Sequence, residues 1–137
     1  MTLVLDSSVT LAWVHNEETT PAVLHVLDLV IAGGAWVPSL WRIEVANVLE
    51  MSVRRNRMGS DLRNKALVNL SLLPISLDPE TDRQAWGATL WLAERHRLTL
   101  YAAVYLELAL RRTIPLASLD IDLRAAASAE GVKLLGM

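Results

Sequence analysis

Thr2-Leu3-Val4-Leu5-Asp6-Ser7-Ser8-Val9 opens the chain with aliphatic and β-branched residues that stop at an acid. Such a run, with no polar alternation, predicts a short strand buried on both faces, the kind that fills parallel sheets. A short helix is predicted next, over Ser7–Asn16. The alternation then repeats. Strands are predicted at Ala35–Val37 (ended by Pro38), Pro74–Leu77, Ile114–Leu119 and Val132–Leu135. Helices fill the intervals, so the fold class expected is α/β, one domain over residues 1–137, with a central parallel sheet of about five short strands flanked by about seven helices.

The helix boundaries follow from capping chemistry. Thr20-Pro21 places an N-cap before a proline at the first helical position, and that helix runs to about Ala32, where Gly33-Gly34 stops it. Ser39 is expected to cap Leu40–Arg55. Gly59 ends that segment, and Ser60 or Asp61 caps a helix to about Leu72. Asp78-Pro79 opens a long helix to about His96, with Trp86, Leu90, Trp91 and Ala93 as its apolar stripe and both indoles expected in or near the core. Thr99 caps a helix to Arg112, and a last one spans Asp122–Glu130 before Gly131. Asp61 and Asp78 read as caps.

Against this frame three carboxylates stand out. Asp6 and Asp120 close the first and fourth strands, and ligands of open parallel sheets bind at the carboxyl edge. Glu44 lies about one turn into the helix after the second strand, among Trp41, Ile43, Val45 and Ala46. An acid in such company is exposed, paired or bound to a cation, because burial alone is costly. Three acids on one edge repel each other, and a hard divalent ion such as Mg²⁺ or Mn²⁺ relieves that repulsion. Such an ion can lower the pKa of a water and neutralise a phosphodiester. The competing reading makes Asp6 and Asp120 helix N-caps and Glu44 a solvated residue. Asp122 could serve a second ion, though a cap role suits it better.

Composition bounds the function classes. The chain has 137 residues, no cysteine and a net charge of −2. The length suits a single domain, and the missing thiols exclude disulfides, thiolate zinc and a cysteine nucleophile. The balance of charge argues against bulk duplex-DNA binding. Eleven of the thirteen cations are Arg, however, which leaves local phosphate contacts open. Arg54, Arg55 and Arg57 cluster at a helix end, where they either compensate the dipole or contact phosphate beside the cleft. Arg95, His96 and Arg97 carry the same two readings at the end of the long helix, Arg111 and Arg112 read as surface cations, and His15, His25 and His96 show no metal-ligand spacing and read as structural or surface groups. Trp13 and Trp41 flank the acidic helices and are candidates for a groove. The longest apolar run, Leu29–Val37, is too short for a membrane span, and the start lacks a basic signal region. A cytoplasmic protein is expected.

These residues also carry a family likeness. The chain resembles PIN-domain toxins of the VapC type along nearly its whole length. The likeness rests on Leu3-Val4-Leu5-Asp6-Ser7-Ser8-Val9, Pro38-Ser39-Leu40-Trp41-Arg42-Ile43-Glu44-Val45-Ala46-Asn47-Val48-Leu49, Leu98-Thr99-Leu100-Tyr101-Ala102-Ala103-Val104-Tyr105-Leu106-Glu107-Leu108-Ala109 and Pro115-Leu116-Ala117-Ser118-Leu119-Asp120. The resemblance implies a Mg²⁺- or Mn²⁺-dependent endoribonuclease, usually a homodimer, paired with a VapB-type antitoxin that occupies an apolar groove. It implies Asp6, Glu44 and Asp120 as metal-site acids, with Ser8 and Ser118 as hydroxyls that hold a carboxylate in place. One position departs: where the family has an acid directly after the tyrosine, this chain has Ala102. A methyl group ligates nothing, so an inactive or impaired enzyme is expected. The mean hydropathy of +0.32 fits hidden partner surface or a large core. The alternative is a non-catalytic domain that binds antitoxin or RNA without cutting. Phosphotransfer to an aspartate is disfavoured, since Ser7 and Ser8 stand where further acids would be needed.

Overall fold

The computed structural model describes all residues 1–137. Five parallel strands form one sheet in the order β3-β2-β1-β4-β5. They are β1 (Leu3–Leu5), β2 (Ala35–Val37), β3 (Ile75–Leu77), β4 (Leu116–Ala117) and β5 (Leu134–Leu135). The opening run lies at the centre of the sheet: Leu3, Val4 and Leu5 are fully buried. Val4 pairs with Trp36 on one side and Leu116 on the other. The chain builds outward through β2 and β3, then returns across β1 to place β4 on its other side. The order of growth therefore switches at the β1/β4 seam, where open α/β sheets form their ligand crevice.

Helices cover the sheet: α1 (Ser7–Val14), α2 (Pro21–Gly33), α3 (Trp41–Arg54), α4 (Ser60–Ser71), α5 (Thr81–Gln84), α6 (Ala88–His96), α7 (Leu100–Arg112) and α8 (Ile121–Ala129), with one 3₁₀ turn at Asn16–Glu18. On α2, Val23, Val26 and Val30 recur at helical spacing and are buried, which is the stripe expected of a helix packed on one side. On α7 every residue from Ala103 to Ala109 is buried, so this helix runs through the interior. Thr20 and Thr99 cap as their positions predict, accepting from the amides of Val23 and Ala102. Gly34 ends α2 at φ +75°, and a Cβ on Gly33 would strike the Met1 carbonyl.

Several expectations are corrected. The long helix over 78–96 is two helices, because Gly87 leaves helical geometry at ψ −105°. That split raises the count to eight α-helices. Thr81, in the first half, accepts from the Ser39 amide, while the second half packs along α7, so one straight axis cannot serve both. The break turns Trp86 outward to 91% exposure and leaves Trp91 at 56%, not in the core. Ser39 therefore caps nothing, and neither Ser60 nor Asp61 caps α4, whose N-cap is Gly59. Trp13, half-buried, donates its indole N–H to the Val23 carbonyl, and Trp41, buried, donates to the Thr10 hydroxyl while lining an apolar pocket with Val45, Ala46 and Leu67.

Asp78 is also no cap. It is 2% exposed and receives Arg111 through Nη2 at 2.6 Å and Nη1 at 3.2 Å. Arg112 reaches the same carboxylate at 3.4 Å and stacks over Trp36 at 3.5 Å. Arg111 in turn holds Glu107 at 2.8 Å. These arginines are structural cations that pin α7 to the β3–α5 turn. Burial pushes the Asp78 carboxyl up, but the hydrogen bonds and charges of Arg111 and then Arg112 outweigh it and hold the group below its usual range. A lowered native pKa means that this pairing stabilises fully above the unfolded value of about 4 and is lost as pH falls through the native one. Arg111→Met is expected to cost about 3 kcal/mol at pH 7, since it strips buried Glu107 of its partner and leaves buried Asp78 only Arg112. Asp78→Asn is expected to flatten the loss of stability below about pH 4. Urea unfolding followed by tryptophan fluorescence across that range measures both.

Candidate active site

The chain leaves β1 at Asp6 in extended geometry and enters α1, yet the Asp6 side chain makes no capping bond. Its carboxylate turns toward β4. Oδ2 accepts the Ser8 hydroxyl at 2.6 Å and the Ser118 hydroxyl at 2.8 Å. Each serine oxygen also accepts a backbone amide beyond β4: Ser8 from Leu119 at 2.9 Å, Ser118 from Asp120 at 3.0 Å. Two hydroxyl relays thus stitch the carboxyl ends of β1 and β4 together around one carboxylate that is 6% exposed.

Asp120 sits on the same seam. Its Oδ1 accepts the Leu123 amide at 3.1 Å, so Asp120 is the N-cap of α8, which starts at Ile121, one residue before the expected Asp122. Oδ2 lies outside that bond. Of the two capping alternatives, Asp120 takes that role and Asp6 does not. Asp122 is exposed in the first turn of α8 and makes no bond to the other acids. Glu44, in the first turn of α3, is brought to the group by α7: Tyr105 donates its hydroxyl to Glu44 Oε1 at 2.5 Å. Tyr105 is 1% exposed. The sequence reading assigned it no role, although a tyrosine in an apolar helix needs a partner for its hydroxyl. Ala102 lies three residues earlier, one turn toward the N-terminus of α7, and its amide donates to Thr99. Residues at that spacing share a helix face, so the methyl of Ala102 stands on the side from which Tyr105 reaches Glu44.

The electrostatics show what the arrangement lacks. Burial raises the Asp6 carboxyl, against the lowering effect of the two serine bonds, and the Asp120 charge raises it further. Burial also raises Glu44; the Tyr105 bond lowers it, and the Asp6 charge adds to the rise. Burial, then the charges of Asp6 and Glu44, push the Tyr105 hydroxyl far above its normal range. Negative charge is concentrated here with no basic side chain against it. As the side chains lie, no three carboxylate or imidazole groups stand close enough to share one ion.

An open cleft of about 860 Å³ adjoins this seam, running from Ser8, Leu119 and Asp120 past Asn47 and Met51 to Arg55 and Arg57. Arg55 lines it. Arg54 instead pairs with Glu50 at 3.2 Å. His96 bonds Glu130 at 2.7 Å, far from any metal-type cluster.

A family model described as the PIN domain matches residues 3–129. The chain belongs to the PIN-domain family. Solved structures similar to this PIN domain include PAE2754 from Pyrobaculum aerophilum, with a TM-score of 0.71 and 22% identity over 98% of this chain and 92% of that one. FitAcB from Neisseria gonorrhoeae gives 0.67 and 15%, covering 98% and 96% of the two chains. VapBC2 from Rickettsia felis, bound to a DNA fragment from its promoter, gives 0.66 and 13%, covering 98% and 97%. No curated protein matches the chain in sequence. At these identities the neighbours establish the shared fold.

The Asp6 carboxyl has a native pKa above its unfolded one, so its contribution to stability is greatest below the unfolded value and declines as pH rises through the native one. Asp6→Asn keeps an acceptor for both serines and removes the buried charge. In chelator at pH 7 this variant is expected to melt above the parent, and the gap is expected to close toward pH 4. A lower melting temperature at pH 7 contradicts the electrostatic reading.

Proposed function

We propose that this PIN domain is the toxin half of a VapC-type toxin–antitoxin pair: a cytoplasmic, homodimeric endoribonuclease dependent on Mg²⁺ or Mn²⁺, held in check by a VapB-type antitoxin. The observation that carries the reading is the placement of Asp6 and Asp120 at the carboxyl ends of adjacent strands, in a chain whose family model spans residues 3–129. The four sequence motifs and the likeness to VapBC2 and FitAcB support the antitoxin partner. No helix is long and apolar enough to cross a membrane.

The donor set suits a hard cation: carboxylate oxygens only, in excess of any local positive charge. Asp6, Glu44 and Asp120 would hold it, and when bound it supplies charge neutralisation at a phosphodiester and a more acidic water. The chain's own residues do the positioning. Ser8 and Ser118 fix the Asp6 rotamer and tie it to the β4–α8 turn. Asp120, anchored through Oδ1, keeps Oδ2 outside its cap bond, and Glu44 keeps Oε2 outside its bond to Tyr105. Arg55, lining the cleft, is placed to meet RNA phosphate; Arg54 reaches it only by releasing Glu50.

Ala102 leaves this set one carboxylate short of the family pattern, and we propose that the chain is inactive or impaired for that reason. Loss of groups that merely orient ligands costs about 10–100-fold, and a missing ligand costs more. The same deficit, with three acids that do not gather on one ion as they lie, favours the second reading, a PIN domain that binds antitoxin or RNA without cutting.

An RNA cleavage assay with Mg²⁺, Mn²⁺ or chelator separates the two. Ala102→Asp is expected to raise cleavage by at least about 100-fold, abolished by chelator and by Asp6→Asn. No metal-dependent cleavage by the restored chain favours the non-catalytic reading; full-rate cleavage by the unaltered chain contradicts the impairment. Replacing Arg54 and Arg55 with Gln is expected to reduce the slope of RNA affinity against salt by about one unit or more, with an unchanged slope counting against phosphate contact.

A further inference from the structure

The largest fully buried side chain of the protein carries a hydroxyl at this seam, and the motif reading leaves it without work. Tyr105 is held on the buried face of α7, between Ala103–Val104 and Leu106, so its ring cannot swing away. Its hydroxyl stands within hydrogen-bonding range of Glu44 at 2.5 Å, with the Asp6 carboxylate near enough to act on it electrostatically and the Ser7 hydroxyl beside it. A phenol between two carboxylates has one proton, and here it goes to Glu44. Glu44 is half-exposed on α3 and has no other side-chain partner among the bonds of the site. Without the tyrosine it would sample the rotamers open to any partly solvated glutamate.

We propose that Tyr105 is a positioning residue that acts through Glu44: its hydroxyl occupies Oε1, fixes the carboxylate rotamer and presents Oε2 toward Asp6 for a divalent cation. This rests on the metal-site reading above and goes beyond it by assigning the orientation of the third acid to a residue on another helix, 61 positions away in sequence. Ser8, in the first turn of α1, and Ser118, just past β4, do the same for Asp6, and the Leu123 amide does it for Asp120. Each acid therefore has one oxygen tied down by the protein, and Tyr105 completes the set. Ala102, on the turn above, leaves Glu44 as the acid on that side of the site, which makes its orientation matter more in this chain than in relatives with the full complement.

The test is Mn²⁺ affinity, read by the loss of the free-ion EPR signal, in the chain as it stands and with Ala102→Asp. Tyr105→Phe keeps the buried ring, so the fold is expected to survive; circular dichroism and melting check this. The variant is expected to weaken Mn²⁺ binding about 10–100-fold. In the Ala102→Asp chain kcat is expected to fall, with KM for RNA little changed. In a Glu44→Gln background, Tyr105→Phe is expected to add nothing further, since a residue working through Glu44 is non-additive with its loss. Unchanged affinity in Tyr105→Phe, or an equal loss with and without Glu44, overturns the proposal while leaving the metal site intact. Absence of Mn²⁺ binding in every chain, Ala102→Asp included, overturns the metal-site reading and this inference with it.

Discussion

A carboxylate held out of water at the end of the central strand is the constraint from which the rest of this molecule can be derived. Asp6 cannot be relaxed by exposure, because it ends the central, fully buried strand and is itself 6% exposed. The fold satisfies it instead with two serine hydroxyls, each of which in turn accepts a backbone amide of the β4–α8 turn. The consequence is mechanical as well as electrostatic. Strands that are 112 residues apart at this point are joined through the same oxygen, and the Ser118 hydroxyl that solvates Asp6 also accepts the Asp120 amide. A site whose parts come from distant segments needs such a link if it is to be rigid.

Charge is managed in two contrasting ways on one scaffold. Around Asp78, acids meet arginines and the carboxyl is held low. Around Asp6 and Glu44, acids meet only neutral donors and each other, and the carboxyls are held high. The first arrangement is self-sufficient and anchors α7. The second leaves its acids without a cationic partner, and perturbed acids cluster at functional sites. Helix α7 connects the two regions: Arg111 near its end is fixed by Asp78, and Tyr105 two turns earlier reaches Glu44.

Much of this was legible in the sequence because it is local. The apolar run before Asp6, the Thr-Pro start of α2 and the Thr99 cap each depend on neighbours within a turn, and the strand-end acids follow from strand boundaries alone. The pairing of Asp78 with Arg111 spans 33 residues, and a single sequence offers Asp-Pro only as a helix start. The break at Gly87 was hidden for a similar reason: a lone glycine is tolerated in helices at a cost of about 1 kcal/mol, and what decides the matter is that Thr81 and α6 pack on different partners. Trp86 and Trp91 keep helical spacing in the sequence, but spacing names a face without saying that anything covers it. Tyr105 stood in a quoted motif, and its partner on α3 became apparent only in three dimensions.

The most direct measurement is an anomalous difference map from crystals of the Ala102→Asp chain grown with Mn²⁺. The account predicts a single strong peak at the β1/β4 seam, within coordination distance of oxygens from Asp6, Glu44 and Asp120. A fully occupied ion elsewhere, or an empty seam at saturating Mn²⁺, contradicts it.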